Sequence, residues 1–384
     1  MSKRIQRSLE MQGSTIVTEE EWNAELEAKH TKLVEWMKAQ HLSGVLLRRH
    51  ENLAWVTGGA VEARVLGPGE TAVASILVTA KGRRYYLTTE NEAPRLGDEE
   101  FAGLDFEPVT FPWYKDDTAA SAARLADGPL GSDVPGPGLT PLNLYPLRAS
   151  LLPSEIARYR WLGQETASST VEALMLIEPG LSEFDMEAVT AANLLRRGIR
   201  PSVHLFAVDE RIYKYKHAVP QGARMKNYAM LNLCARKWGL AISITRFVHF
   251  VRVPDELERR FRASAQVNAA LLDATREGAT AANLFETAKI AYAAAGFPGE
   301  EKLHHTGGAT GYWEREWLAT PKGTEAVVNH QAFAWNPSIQ GGKVEDTVLL
   351  NDGKIECLTA TPEMPSINVS VNGIVYSAAD VLRK

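Results

Sequence analysis

Apolar residues recur at helical spacing through Trp22, Leu26, Leu33, Trp36 and Met37, directly behind Thr18-Glu19-Glu20-Glu21. That tetrapeptide has the form of a capping box, so a helix is expected to open there. Gly44-Val45-Leu46-Leu47 follows as a short apolar run of the kind a buried strand shows. Ala72 to Val78 and Arg84 to Thr88 read as two further strands, parted by the turn Ala80-Lys81-Gly82. From Ala126 to Pro141 the chain is rich in Gly, Pro and Asp. This places a domain junction near residue 150 and gives two domains, 1–150 and 151–384.

The remainder carries a weak internal repeat. Gly180 lies between an amphipathic helix and Leu181-Ser182-Glu183, and Gly278 takes the same place before Ala279-Thr280-Ala281. The separation is 278 − 180 = 98, and Gly198 with Gly296 repeats it, 296 − 198 = 98. Each half reads helix, Gly turn, helix, Gly turn, then strands. Two such halves back to back make a curved, mostly antiparallel sheet with helices outside and a pocket where the halves meet.

Composition narrows the classes of function. A chain of 384 residues with 45% apolar and 23% charged residues is a soluble globular protein of more than one ordinary domain. A formal charge of −5 with interspersed signs leaves no footprint for nucleic acid or an anionic membrane. Arg48, Arg49 and His50 are read as a solvated strand end. No apolar stretch reaches the roughly 18–20 residues that span a bilayer. Met1-Ser2-Lys3-Arg4 leads into polar sequence rather than a secretory signal. Cys234 and Cys357, the only cysteines, cannot build a disulfide framework, so a cytoplasmic location is expected.

Several segments, taken in order, resemble the creatinase, prolidase and aminopeptidase P superfamily, the pita-bread fold. Asn52-Leu53-Ala54-Trp55-Val56-Thr57-Gly58-Gly59 is similar to the Asn-x-x-Tyr-Leu-Thr-Gly segment of the creatinase-type N-terminal domain. Pro153-Ser154-Glu155-Ile156 with Arg160 resembles the start of the catalytic domain, and Glu178-Pro179-Gly180-Leu181-Ser182-Glu183 its first helix junction. Lys216-His217-Ala218-Val219-Pro220 is similar to the His-x-x-Pro element that holds a substrate-facing histidine. The resemblance implies an α/β N-terminal domain followed by an α+β pita-bread domain with a pseudo-twofold repeat. It also implies a homodimer.

The metal positions depart from that pattern. Metal-binding members use two aspartates, a histidine and two glutamates, since hard divalent ions favour several anionic oxygens. Here the aspartate positions fall on Asn232 and Ser243, the histidine position on Gly308 and the first glutamate position on Asn336. Only Glu345, before Asp346-Thr347, is matched. A register shift would bring His305 nearer. A dinuclear metal site is therefore not expected, nor any other cofactor.

What remains is a set of proton-transfer and anchoring candidates. The resemblance to creatinase, which also works without metal, makes His217 a general acid/base. If His304 and His305 lie on a strand, their side chains face opposite ways and at most one enters the pocket. Arg315 and Arg246 are candidate anchors for a substrate carboxylate, or else structural ion pairs. Glu316 matches a family glutamate, and Glu345 is expected to orient a histidine or activate water. Asn232, Ser243 and Asn336 are expected to hydrogen-bond the substrate, with Tyr312 beside them. Tyr312, Trp238, Trp313 and Trp335 are otherwise core residues. Cys234 shares a strand face with Asn232, as an inert buried thiol or a nucleophile. The expected activity is metal-independent C–N bond cleavage, by hydrolysis or elimination, of a small carboxylate-bearing compound derived from an amino acid. A catalytically inactive binding or scaffold protein and an Xaa-Pro peptidase with one weak metal are the alternatives.

Overall fold

The Thr18 hydroxyl accepts the Glu21 N–H at 3.2 Å, and the Thr18 N–H donates to the Glu21 carboxylate at 2.8 Å. These two bonds satisfy amides that a helix start leaves unpaired, and they open the helix Glu19–Ala39. The computed structural model describes residues 10–11, 14–65 and 69–384; the reading of Met1 to Arg4 lies outside the described residues. The chain divides into two compact units whose boundary falls between Arg158 and Tyr159.

The first unit is built on a six-stranded sheet. Its order is Glu107–Phe111, Arg84–Thr89, Thr71–Thr79, Gly44–Arg49, Leu130–Ser132, Leu139–Pro141. The three strands read from the sequence are its centre, and they pair antiparallel, while the outer strands join parallel. Leu46, Leu77, Tyr85 and Leu87 bury one face against the helix Thr118–Ala126. The Asn52 to Gly59 segment forms the helix His50–Val56 and ends on Gly58 at φ +59. There the Gly58 carbonyl accepts the Trp22 indole at 3.1 Å and Arg158 at 2.7 Å. A Cβ on Gly58 would stand 2.6 Å from the indole nitrogen, so both the backbone angle and the space require glycine.

A fully buried ionic cluster lies in this unit. Lys29 Nζ is 2.6 Å from Glu25 Oε1 and 2.7 Å from Glu155 Oε1, and Arg158 Nη2 is 2.7 Å from Glu25 Oε1. The Ser154 hydroxyl donates to the other Glu25 oxygen at 2.5 Å. Burial alone would raise the Glu25 pKa; Lys29 and Arg158 reverse that and hold it at about 2.

In the second unit the repeat becomes a repeated clip. Gly180 N donates to Met225 O at 2.8 Å and Met225 N returns a bond to Leu181 O at 2.9 Å. Gly278 N donates to Val327 O at 2.9 Å, and Val327 N returns to Ala279 O at 2.8 Å. All four repeat glycines have positive φ. Capping boxes at Ser182 and Thr280 then start the helices Glu183–Arg196 and Ala281–Ala294. One sheet carries Arg200–Val208, Tyr228–Lys237 and Leu240–His249, closed by Leu382–Arg383. The other runs Gly307–Thr310, Gln331–Trp335, Asp346–Asn351, Lys354–Cys357. The long helices Pro153–Leu176 and Asp255–Ala274 supply packing from Leu174 and Phe261.

Candidate functional site

Strand register brings the substituted positions together. Tyr228–Lys237 and Leu240–His249 pair so that Asn232 faces Thr245 and Cys234 faces Ser243. Thr245 in turn bridges to Glu345 across the sheets. Asn232 Nδ2 donates to Glu345 Oε2 at 2.6 Å and to Thr245 Oγ1 at 2.8 Å, and Thr245 Oγ1 donates to the same Glu345 oxygen at 2.6 Å.

Two cations complete the surroundings of Glu345. Lys343 Nζ is 2.7 Å from Oε2 and Arg315 Nη2 is 3.0 Å from Oε1. Burial by itself would raise this carboxyl's pKa, but Lys343, Arg315 and the hydrogen bonds from Lys343 and Thr245 bring it down to about 2. Lys343 was missed from sequence. The signal was there: two residues before Glu345 in extended chain, it shares the Glu345 face. Arg315 Nη1 also donates to Ser243 Oγ at 3.0 Å.

The histidines form a second layer. His304 and His305 are not on a strand; they precede Gly307–Thr310 in irregular backbone. The expectation of opposite facing is therefore corrected. The two rings stack with centroids 4.4 Å apart, and both face His217, at 4.8 and 6.1 Å. His304 Nε2 lies 2.9 Å from His217 Nε2, and Ser338 Oγ is 3.5 Å from His304 Nδ1. Partial desolvation by its neighbours and then the Lys343 ammonium lower the pKa of the otherwise exposed His217, against the pull of Glu345. Burial, then Lys343, brings His304 to about 2; burial, then Arg315, brings His305 to about 4. All three shifts favour the neutral imidazole.

Other sequence candidates fall elsewhere. Arg246 is buried and engaged by Asp346 Oδ1 at 2.7 Å, Thr359 O at 2.8 Å and Thr361 Oγ1 at 3.0 Å. With its fork occupied by protein oxygens, it is the structural ion pair rather than a free anchor. Glu316 accepts the Tyr312 N–H at 3.2 Å, within its own loop, and Tyr312 is buried. Trp335 is core and donates to Thr275 Oγ1 at 3.1 Å, while Trp313 lies under the Arg236 guanidinium. Cys234 Sγ is 3.1 Å from Ser243 Oγ, and burial raises its pKa to about 11, which leaves the inert thiol of the two readings.

The donor set can be tested directly against a family metal pair. Asn232 turns its amide N–H groups to Glu345 and Thr245, and each Glu345 oxygen already accepts a bond. At the histidine position, a Cβ on Gly308 would meet the Trp317 carbonyl oxygen at 2.0 Å, so the backbone fills the space a ligand would need. Asn336 is buried with Oδ1 lacking a partner, a neutral acceptor where a carboxylate is required. These residues do not fit a dinuclear site. The same segments hold further buried polar atoms without a hydrogen-bond partner: His305 Nδ1, Thr306 Oγ1 and Arg315 Nε.

Residues 162–352 match the model of metallopeptidase family M24. No curated protein matches by sequence. Among solved structures, the dipeptidase PepE from Mycobacterium ulcerans superposes with a TM-score of 0.73 at 16% identity, covering 88% of this chain and 96% of that one. The Xaa-Pro dipeptidase from Bacillus anthracis gives 0.71 at 16% identity, covering 94% and 100%. The N-terminal domain of FACT complex subunit SPT16 from Cicer arietinum (chickpea) gives 0.64 at 13% identity, covering 87% and 96%. Residues 162–352 thus carry the M24 family's signature, and the chain has the pita-bread fold of the prolidase and dipeptidase structures. At these identities the superpositions speak for the fold alone. No described helix is long and apolar enough to cross a membrane.

Proposed function

We propose that the protein cleaves a C–N bond in a small, carboxylate-bearing compound derived from an amino acid, without a metal pair. The observation that carries this is the meeting of two cations, Lys343 and Arg315, on the single carboxylate of Glu345. One positive charge is left uncancelled beside unpartnered polar atoms, which suits an anionic substrate. Arg315, whose fork is held by Ser243, Glu314 O and Glu345, offers the substrate carboxylate its unpartnered Nε–H and its charge, and Asn336 Oδ1 accepts an N–H of the substrate. His217 is the general acid/base. With His304 Nδ1–H directed to Ser338, His304 Nε2 accepts from His217 Nε2–H, leaving His217 Nδ1 to take a proton. In hydrolysis that proton comes from water as the oxygen bonds to carbon, and it passes to the nitrogen as the C–N bond breaks.

A second reading, an Xaa-Pro peptidase with one weakly held metal, is favoured by the dipeptidase relatives. It shares the scissile C–N bond and the nearby carboxylate and differs in how water is activated. The third, a binding or scaffold protein, keeps the anion site and drops the chemistry.

Assaying Xaa-Pro dipeptides, N-acyl and N-carbamoyl amino acids after exhaustive chelation separates the three. Turnover retained under chelation and reduced about 10²–10⁴-fold in His217→Ala supports the proposal. Turnover that vanishes on chelation and returns with a divalent ion supports the peptidase. Tight carboxylate binding with no turnover leaves a binding protein.

A further inference from the structure

His217, His304 and His305 form a group of three metal-ligating side chains among the described residues, with one ring nitrogen of each within 4.8 Å of the others. Around a tetrahedral ion with metal–nitrogen bonds of about 2.0–2.1 Å, ligand nitrogens stand roughly 3.3 Å apart. The His217 and His304 nitrogens stand 2.9 Å apart, and the His305 ligand atom lies within 4.8 Å of both, so the three are near the spacing that a shared ion sets. His304 and His305 are set by fixed backbone: Asn336 N donates to Thr306 O at 2.9 Å, and a Cβ on Gly307 would meet Ala334 O at 2.1 Å. The buried Nδ1 of His305 has no hydrogen-bond partner, a state that a metal or an additional donor relieves. Ser338 Oγ, 3.5 Å from His304 Nδ1, is positioned to orient that ring from behind.

We propose that His217, His304 and His305 bind one imidazole-favouring transition-metal ion, zinc, cobalt, nickel or copper(II), away from the positions where the superfamily holds its metal pair. Three neutral nitrogen donors with an open fourth position suit these ions and not magnesium or calcium, which need oxygen. The charged groups facing the three rings are Glu345, Lys343 and Arg315. Their surplus positive charge opposes a bare dication and assigns the open position to an anion such as hydroxide or chloride. Capture of the ion occupies His217, so metal binding switches off the acid/base chemistry proposed above; that consequence rests on the earlier reading, while the site itself does not.

The test titrates the chelator-stripped full chain, free of affinity tags, with zinc by calorimetry and with cobalt(II) by visible absorption. One equivalent is expected, with the intense bands of a low-coordinate cobalt site. His305→Gln should weaken binding more than about tenfold. His217→Gln should do the same, and because His217 is exposed that variant keeps its fold. Asn336→Ala, at a superfamily metal position, should bind as the native chain does. Absence of a stoichiometric event, or binding that survives in both histidine variants, overturns the site. Either failure leaves the acid/base reading standing, because that reading is judged by turnover after chelation.

Discussion

In the first unit, Glu25 and Glu155 meet Lys29 and Arg158, two carboxylates for two cations. In the second, Glu345 alone meets Lys343 and Arg315. Both clusters are buried, and both hold a carboxyl at about pKa 2. The balanced cluster cancels its own charge and ties the helix Glu19–Ala39 to Arg158. The unbalanced one keeps a surplus cation next to polar atoms that nothing in the protein satisfies. The first cluster is self-contained and structural, while the second leaves a charge that the proposed site would use.

The largest effect expected is from Glu25→Ala, which strands Lys29 and Arg158 and should cost about 3–5 kcal/mol in urea unfolding. A cost near zero would break the comparison at once. Gly308→His attacks the second unit where the Trp317 carbonyl lies 2.0 Å from a built Cβ. It should destabilise by about 3 kcal/mol and gain no metal pair, checked by melting and elemental analysis. Arg315→Met removes the surplus cation while Lys343 still faces Glu345. Stability should fall by only about 1–2 kcal/mol, and affinity for a carboxylate ligand by roughly tenfold or more. His217→Ala, at an exposed position, should stay within about 0.5 kcal/mol of the native chain while losing turnover.

Acid should separate the clusters least. Each carboxyl is held below its ordinary 4.5, so the stability it supplies is complete above that value and is lost as pH falls through about 2. Unfolding followed at pH 8 and pH 5 should show no contribution from either group to the difference. A carboxylate-linked loss already visible above pH 5 would mean that one of the pairs does not form.

How much of this was legible in the sequence depended on whether the information was local. The capping box at Thr18, the first-unit strands and the 98-residue offset of the glycines are short-range patterns, and they reappear as elements and clips. The substitutions at Asn232, Ser243, Gly308 and Asn336 could be read one at a time because the resemblance fixed their frame. Arg246 could not be resolved, since its partner Asp346 lies 100 residues away. The pairing of His304 with His305 depended on irregular backbone ahead of Gly307, whose φ of +107 no period-two rule anticipates. Lys343 shares the Glu345 face by period-two spacing, but no local pattern says that a second cation, Arg315, meets it on the same carboxylate.

The clips that open the two halves have a kinetic consequence. Each fastens a glycine amide to a carbonyl further along, across 225 − 180 = 45 residues in one half and 327 − 278 = 49 in the other. Closing entropy rises only with the logarithm of loop length, so the two closures differ by roughly 0.1 kcal/mol. Neither half holds a head start from chain length. The second unit thus offers two nucleation points of nearly equal standing, and the order in which they form during refolding is left to the side chains each clip gathers.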